Sequence, residues 1–421
     1  MTLLHAPRHA LLELLAVALD AVDGAHAVRR ALMARPIAGP VWIAAIGKAA
    51  ESMTLGALDV LGDTCQGGML VTKPGHADPG RLRRLGIEVH FGGHPLPDAG
   101  SLAAGERLLA SLDGLPAATR LLFLLSGGAS ALIEAPVTGL GLAELRAINA
   151  WLLGSGLPID AMNRVRQSVS RLKAGGLLRH LGGRPVRQLA ISDVPGDTPG
   201  VIGSGPLVPR PDLGDQVGRL VLPDWLAGWV ARGLIERGTL PERGPEMELV
   251  ATLSLAKAAV VKAAESRGWH VRLHPDTIEG EAADQGRALA RTLIDGAPGL
   301  HVWGGETTVR LPAHPGRGGR NQHLALAAAI ELAGRDDVWL LSAGTDGGDG
   351  STEDAGALVD GGTLERAEFG GIELDARTGL ERADSGRFLK ASGDLIRTGP
   401  TGTNVMDLIL GYKAPVAALN R

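Results

Sequence analysis

VWIAAIGKAAESM, residues 41 to 53, sets the reading of the whole chain. An apolar run without alternation ends at Gly47, and Lys48 opens a stretch with helical spacing. A strand covered on both faces shows no period-two pattern, and a glycine at its end lets the backbone turn sharply into a crossover helix. The same unit recurs in GMLVTK at 68 to 73, IEVHFGG at 87 to 93, RLLFLLSGG at 120 to 128 and VRQLAISD at 186 to 193. Strands alternating with helices predict an α/β fold, with these five strands in one doubly wound parallel sheet.

A chain of 421 residues exceeds what one hydrophobic core usually supports, so two domains with a cleft between them are expected. The alternation restarts in the second half, with ELVAT at 248 to 252, HVRLH at 270 to 274, LHVWGGE at 300 to 306 and VWLLSAGTD at 338 to 346. Proline and glycine crowd residues 238 to 247. The predicted domains are therefore 1–240 and 241–421. With 45% hydrophobic and 21% charged residues the composition is that of a folded protein, and the net charge of −4 carries no basic patch of the kind that binds nucleic acid. Cys65 stands alone, which excludes an internal disulfide and fits a reducing, cytoplasmic setting. The first twenty-odd residues have leucines at helical spacing interrupted by His5, Arg8, His9, Glu13 and Asp20, which predicts an amphipathic helix rather than a signal peptide. No uncharged run is long enough for a membrane span.

The chemistry-bearing residues cluster where apolar runs end in glycine. Gly47 and Lys48 fit either a phosphate contact or a solvated first-turn lysine; the stretch is not a P-loop, because Ala49 follows the lysine. In LSGGASALIEAP at 125 to 136, the group Ser126, Gly127, Gly128 and Ser130 fits a phosphate cradle or a tight capped turn. In AISDVPGDTPGVIGSGP at 190 to 206, Asp193 and Asp197 follow a buried strand. Carboxylates there point into the crevice where open α/β sheets bind ligands, and they suit Mg²⁺ or, for Asp193, a general base. HPGRGGRNQ at 314 to 322 places Arg317 and Arg320 in a glycine-rich loop leading to Asn321, where a guanidinium can stabilise a transferring phosphoryl group. SAGTDGGDGSTEDAGALVDGG at 342 to 362 lacks the register of a calcium loop and leaves Asp346 and Asp349 as substrate or metal contacts, or as turn formers. TGPTGTNVMDLILGY at 398 to 412 precedes a last strand and can line the same cleft. The histidines show no metal spacing; His94 in GGHPLPD is the one in a suggestive place.

Taken in order, IGKA, GGHPLPD, LSGGASAL, NRVRQSVSRLKAGGL, SDVPGD with GSGP, GGETTV, GRGGRNQ, GTDGGDG and TGTNV resemble the glycerate 2-kinase family with a MOFRL C-terminal domain, from about residue 10 onward. The resemblance implies a Rossmann-like N-terminal domain, a smaller C-terminal α/β domain, ATP with Mg²⁺, and glycerate as acceptor giving 2-phosphoglycerate. Lys48 and Arg320 match the family's active-site lysine and arginine. Three places depart from the family pattern: Ala129 stands for the third glycine of SGGGSA, Thr307 for the proline of GGEPTV, and Gly386 for the tyrosine after Asp384 and Ser385.

The expected roles follow. Lys48 and Arg320 stabilise phosphate charge, Asp193 is base or metal ligand, and Asp197 is a metal ligand. Gly47, Ser126, Gly127, Gly128, Ser130, Asn321 and Asp346 hold ATP or substrate. Lys48 and Arg320 are expected to converge on one cleft. The partners are small molecules, without nucleic acid or membrane, and the protein is a monomer or homodimer. The alternatives are a hydroxypyruvate reductase, for which the chain lacks a GxGxxG turn, and a nucleotide-binding regulatory protein without turnover.

Overall fold

The computed structural model describes residues 5–415; residues 1–4 of the expected first helix lie outside them. The first sheet contains β1 (Val41–Ile46), β2 (Cys65–Thr72), β3 (Ile87–Phe91), β4 (Arg120–Leu125), β5 (Val186–Ile191) and β6 (Met247–Ala251). Their order is β3-β2-β1-β4-β5-β6. The strands β1 to β5 are parallel, with Ile43 opposite Leu122 and Ile46 opposite Leu125. The chain steps outward from β1 through β2 and β3, then returns to add β4 and β5 on the other side. The C-terminal ends of β1 and β4 therefore flank a topological switch point, the place where such sheets bind ligands. Fully buried Ile43, Met69, Leu70 and Phe123 show why these runs lack alternation.

The second sheet holds β7 (Val271–Leu273), β8 (Gly299–Gly305), β9 (Val338–Gly344), β10 (Gly356–Asp360), β11 (Leu395–Ile396) and β12 (Asp407–Lys413), in the order β11-β10-β9-β12-β8-β7. Only β7 and β8 pair in parallel; the other pairs are antiparallel. Helix Arg320–Leu332 packs on β9 and β10 and is covered by helix Ala282–Asp295. Residues Asn321 to Ala329 are all buried, so this helix is enclosed on every side. The two helices meet at Gly286, where a methyl group would lie 2.2 Å from the Leu324 carbonyl oxygen. Among the described residues no helix is long and apolar enough to cross a membrane.

The division of the chain differs from the predicted one. Residues 24–250 form one compact unit, and the residues before 24 join those from 251 onward in the other. Two features account for this. The stretch expected to open the second half becomes β6 and lies beside β5, so the prolines and glycines before it mark only a connection within the first unit. Helix His5–Ala21 packs on helix Leu253–Ser266, and Glu13 pairs with Arg267 at 2.8 Å. Arg8 on that helix pairs with Asp360, donates to Leu358 O at 2.9 Å and reaches Asp394 at 2.7 Å.

Arg8 therefore anchors a terminal helix to a sheet formed some 350 positions later in the chain. Removing it leaves Asp394 still paired with Arg366 at 2.9 Å. Arg8→Ala is accordingly expected to cost about 1–3 kcal/mol in denaturant-induced unfolding, the cost of stripping partners from part-buried charged groups. No measurable loss would show that the first helix is not held by this pair.

Candidate active site

In the first unit, the switch point is built by two strand ends that almost touch. Ser126 N–H donates to Ile46 O at 2.9 Å and Lys48 N–H to Gly127 O at 2.9 Å. The Ser126 hydroxyl accepts from Ala49 N–H at 3.1 Å and lies 3.4 Å from Ile46 O. Gly47 has φ +129°, and a methyl group there would fall 2.1 Å from Ser126 Oγ and 2.5 Å from Ser126 O. Only glycine fits this crossing. Ser126 is fully buried, and its hydroxyl fastens one turn to the other. It positions the Lys48 turn rather than offering its oxygen to a ligand. Helix formation begins at Ala50, so Lys48 sits in the turn, half-buried, ahead of the helix that the sequence started at this residue.

Gly128 is left-handed and precedes the short helix Ala129–Leu132. A methyl group on it would lie 3.2 Å from His94 Cδ2, so the histidine singled out by the sequence packs against this same turn. Ser130 shares a hydroxyl hydrogen bond with Ser204 at 2.7 Å, tying the glycine turn to the GSGP segment. Ala129 is nearly buried, and a methyl on Gly203 would meet its Cβ at 3.2 Å. The methyl in place of the family glycine is thus absorbed against Gly203. Asp193 and Asp197 both follow β5, partly buried, and Asp197 takes a positive φ of 52°. Gly47, Lys48, the 126–130 turn and both aspartates therefore lie at the C-terminal edge of one parallel sheet. Among the described residues no group of three His, Cys, Asp or Glu forms a metal cage. A Mg²⁺ that arrives with nucleotide phosphates keeps most of its waters and needs only one or two protein carboxylates.

In the second unit, Arg320 is the first residue of its helix, and its guanidinium is held by carboxylates. Asp407, at the start of β12, accepts from Nε at 2.5 Å and from Nη2 at 2.9 Å, and Glu306, just after β8, pairs with Nη1 at 2.9 Å. Burial disfavours the charged guanidinium, but Asp407 outweighs this and holds it more firmly protonated than an ordinary arginine. The Asp407 side chain is 4% exposed and that of Glu306 44%, so the bidentate partner is fixed and the Nη1 partner faces solvent. Neither acid was singled out from the sequence. Asp407 had a signal: a carboxylate entering the apolar run DLILGY must have a charged partner if it is buried.

Asn321 and Asp349 take structural positions. Asp349 accepts from the backbone N–H of Asn321 at 3.0 Å and of Gln322 at 2.8 Å, capping the helix with the protein's own carboxylate. The Asn321 amide faces Asp349, and its oxygen accepts from Ser342 Oγ at 2.6 Å. Asn321, expected to hold ATP or substrate, is thus a buried strut, and the helix N-terminus beside it already carries an anion. The Asp346 carboxylate accepts from Gly348 N–H at 3.0 Å, the turn-forming arrangement.

Burial lifts the Asp349 carboxyl from 3.8 to about 6; the hydrogen bonds from Asn321 and Gln322 work against this, and Asp407 adds to it. The folded protein then holds a proton between about pH 4 and 6 that the unfolded chain has lost. Stability from this group is complete below pH 4 and falls as pH rises through 6, by about 3 kcal/mol. Buried His323, whose pKa burial lowers to about 4, acts oppositely and loses stability as pH falls below 6.5. Comparison with Asp349→Asn isolates the aspartate. Wild type is expected to gain on the variant as pH drops from 6.5 to 4 in urea unfolding, and a constant difference would refute the buried charge.

The chain matches two families: DUF4147, described as a domain of unknown function, over residues 10–221, and MOFRL over residues 299–407. It is 36% identical to the D-glycerate 2-kinase of Thermotoga maritima over 88% of this chain and 90% of that one. It is also 37% identical to a putative hydroxypyruvate reductase of Agrobacterium vitis over 95% of this chain and 93% of that one. A crystal structure of a glycerate kinase from Thermotoga maritima superposes with a TM-score of 0.85 at 34% identity, covering 97% of this chain and all of that one. On these matches, over a mixed α/β fold with a parallel first sheet, the chain belongs to the glycerate 2-kinase family with a MOFRL C-terminal domain.

Proposed function

We infer that this chain is a glycerate 2-kinase, transferring the γ-phosphoryl group of ATP to the 2-hydroxyl of glycerate. The observation that carries the reading is the arginine at the head of helix Arg320–Leu332, oriented by the buried Asp407 and paired through Nη1 with the exposed Glu306. In-line phosphoryl transfer asks little covalent chemistry of a protein; positioning and charge stabilisation dominate. A guanidinium fixed on one side by a bidentate carboxylate is pre-organised to meet phosphoryl oxygens on the other.

Lys48 supplies the second positive charge, from a turn whose path the Gly47–Ser126 crossing fixes. Gly127 and Gly128 keep the backbone of the neighbouring turn without side-chain bulk, with Ser130 braced by Ser204. Asp193 is base for the acceptor hydroxyl or metal ligand, and Asp197 is metal ligand. Mg²⁺ held by these carboxylates would neutralise charge on the nucleotide phosphates. Lys48 and Arg320 are each assigned to stabilising phosphate charge, and the protein is assigned to the cytoplasm. A reductase reading has less support, since no glycine-rich dinucleotide turn follows β1, where Lys48 and Ala49 stand instead.

Purified protein with ATP, Mg²⁺ and glycerate is expected to form a phosphoglycerate whose phosphorus resonance is that of the 2-isomer. NADPH oxidation on hydroxypyruvate without phosphorylation would replace this reading. Arg320→Ala is expected to lower kcat by on the order of 10³-fold with little change in KM for ATP. Asp407→Asn, which leaves the arginine but loosens its aim, should lower kcat by about 10²-fold. If the lysine and arginine act on one group, Lys48→Ala with Arg320→Ala falls short of the product of the single losses.

A further inference from the structure

Three arginines border the glycine loops of the second unit, and they differ in how fully their charge is met. Arg320 faces two carboxylates. Arg317 and Arg397 share one. Asp354 is fully buried, and each of its oxygens takes one guanidinium: Oδ2 receives Arg317 Nη2 at 3.2 Å, and Oδ1 receives Arg397 Nε at 2.6 Å. The backbone builds this arrangement. Ala355 N–H donates to Ile396 O at 2.8 Å, so the pairing of β10 with β11 sets Asp354 beside Arg397. Arg317 N–H donates to Asp384 Oδ1 at 2.9 Å, and its carbonyl accepts from Gly386 N–H at 2.8 Å, which pins the loop from both sides.

Two guanidiniums hydrogen-bond to one carboxylate, and the Arg317 and Arg397 side chains are 47% and 63% exposed, so the donors that Asp354 does not take stand at the surface. Each guanidinium carries five N–H donors in a rigid plane, and Asp354 takes one from each. Glu353, also exposed, adds negative charge near Arg397.

We propose that Arg317 and Arg397, spread by the buried Asp354, form an oxyanion-binding fork that receives the anionic end of a substrate. Either a polyphosphate or a carboxylate has the paired oxygens that such a fork accepts. The kinase reading supplies one source of each, nucleotide and glycerate. The proposal rests on that reading only for the source of the anion; the fork itself stands on the geometry above.

Calorimetric titration with inorganic tripolyphosphate and, separately, with glycerate tests the fork without turnover. Wild type is expected to bind at least one of them, more weakly as salt rises. Arg397→Ala should weaken that binding roughly 10- to 100-fold, and Arg397→Lys should restore it only in part, because an ammonium cannot replace the planar fork. Removing a partner from the buried Asp354 is expected to lower the melting temperature somewhat, so an unchanged far-UV circular dichroism spectrum and a cooperative unfolding transition show that the fold is intact; Arg317→Ala repeats the test from the other side. Loss confined to tripolyphosphate assigns the fork to nucleotide phosphates, and loss confined to glycerate assigns it to the carboxylate. Absence of binding by wild type, or equal binding by wild type and both alanine variants, overturns the proposal. Anion binding without phosphoglycerate formation would sink the kinase reading and leave the fork standing, whereas turnover with unaltered binding in the variants would do the reverse.

Discussion

Asp349 carries its carboxylate where water does not reach, and the loops of the second unit are arranged around supplying it with donors. It takes two backbone N–H groups at the head of helix Arg320–Leu332. For the carboxylate to come so close, residue 319 must lack a side chain, since a methyl there would stand 2.3 Å from the Asp349 carboxyl carbon. The glycine of the loop before the helix and the aspartate of the loop after β9 are thus one interaction. A buried helix of this kind cannot leave its first amides unsatisfied, and the acid that satisfies them fixes where the next residue, Arg320, begins.

The charges in that unit follow a graded pattern. Asp407 and Asp354 are buried and each orients a guanidinium that reaches the surface, while the acids at the rim, Glu306 and Glu353, are exposed. A buried carboxylate with a charge-assisted partner has a fixed position, and an exposed one is easily displaced by a competing anion. The first unit shows the same division in uncharged form: Ser126 and Ser130 serve as internal ties, and the lysine beside the Ser126 tie is left half-buried at the edge.

The first sheet was legible in the sequence because each of its first five strands is an apolar run ending in a small or polar turn, a pattern contained within ten residues. β10 and β11 escaped notice since GALVD is short and follows a run of glycines and acids that reads as loop, and Leu395–Ile396 is only two residues long. β6 was seen and assigned to the second half; nothing local in ELVAT reveals that its neighbour is β5. Lys48 and Arg320 were singled out by glycine-rich turns and by the family likeness. Asp407 and Asp354 could not be matched to their arginines, because the partners lie 87 and 37 to 43 positions apart and such pairs leave no spacing to read. Ser126 and Asn321 were read as ligand contacts, and their side chains are taken up by internal hydrogen bonds. Whether a hydroxyl or amide faces inward or outward is decided by close packing, which a single sequence does not express.

The attachment of helix His5–Ala21 to the second unit bears on how the chain is made. Residues 24–250 leave the ribosome as one uninterrupted block and can condense as soon as β6 is available. The second unit is discontinuous, so its opening helix is synthesised first and must wait through that entire block before helix Leu253–Ser266 and Asp360 exist to receive it. During that interval its apolar face, including Leu11, Leu14 and Ala18, has no native surface to cover it. Closing the loop that this helix spans delays the assembly of the second unit behind that of the first.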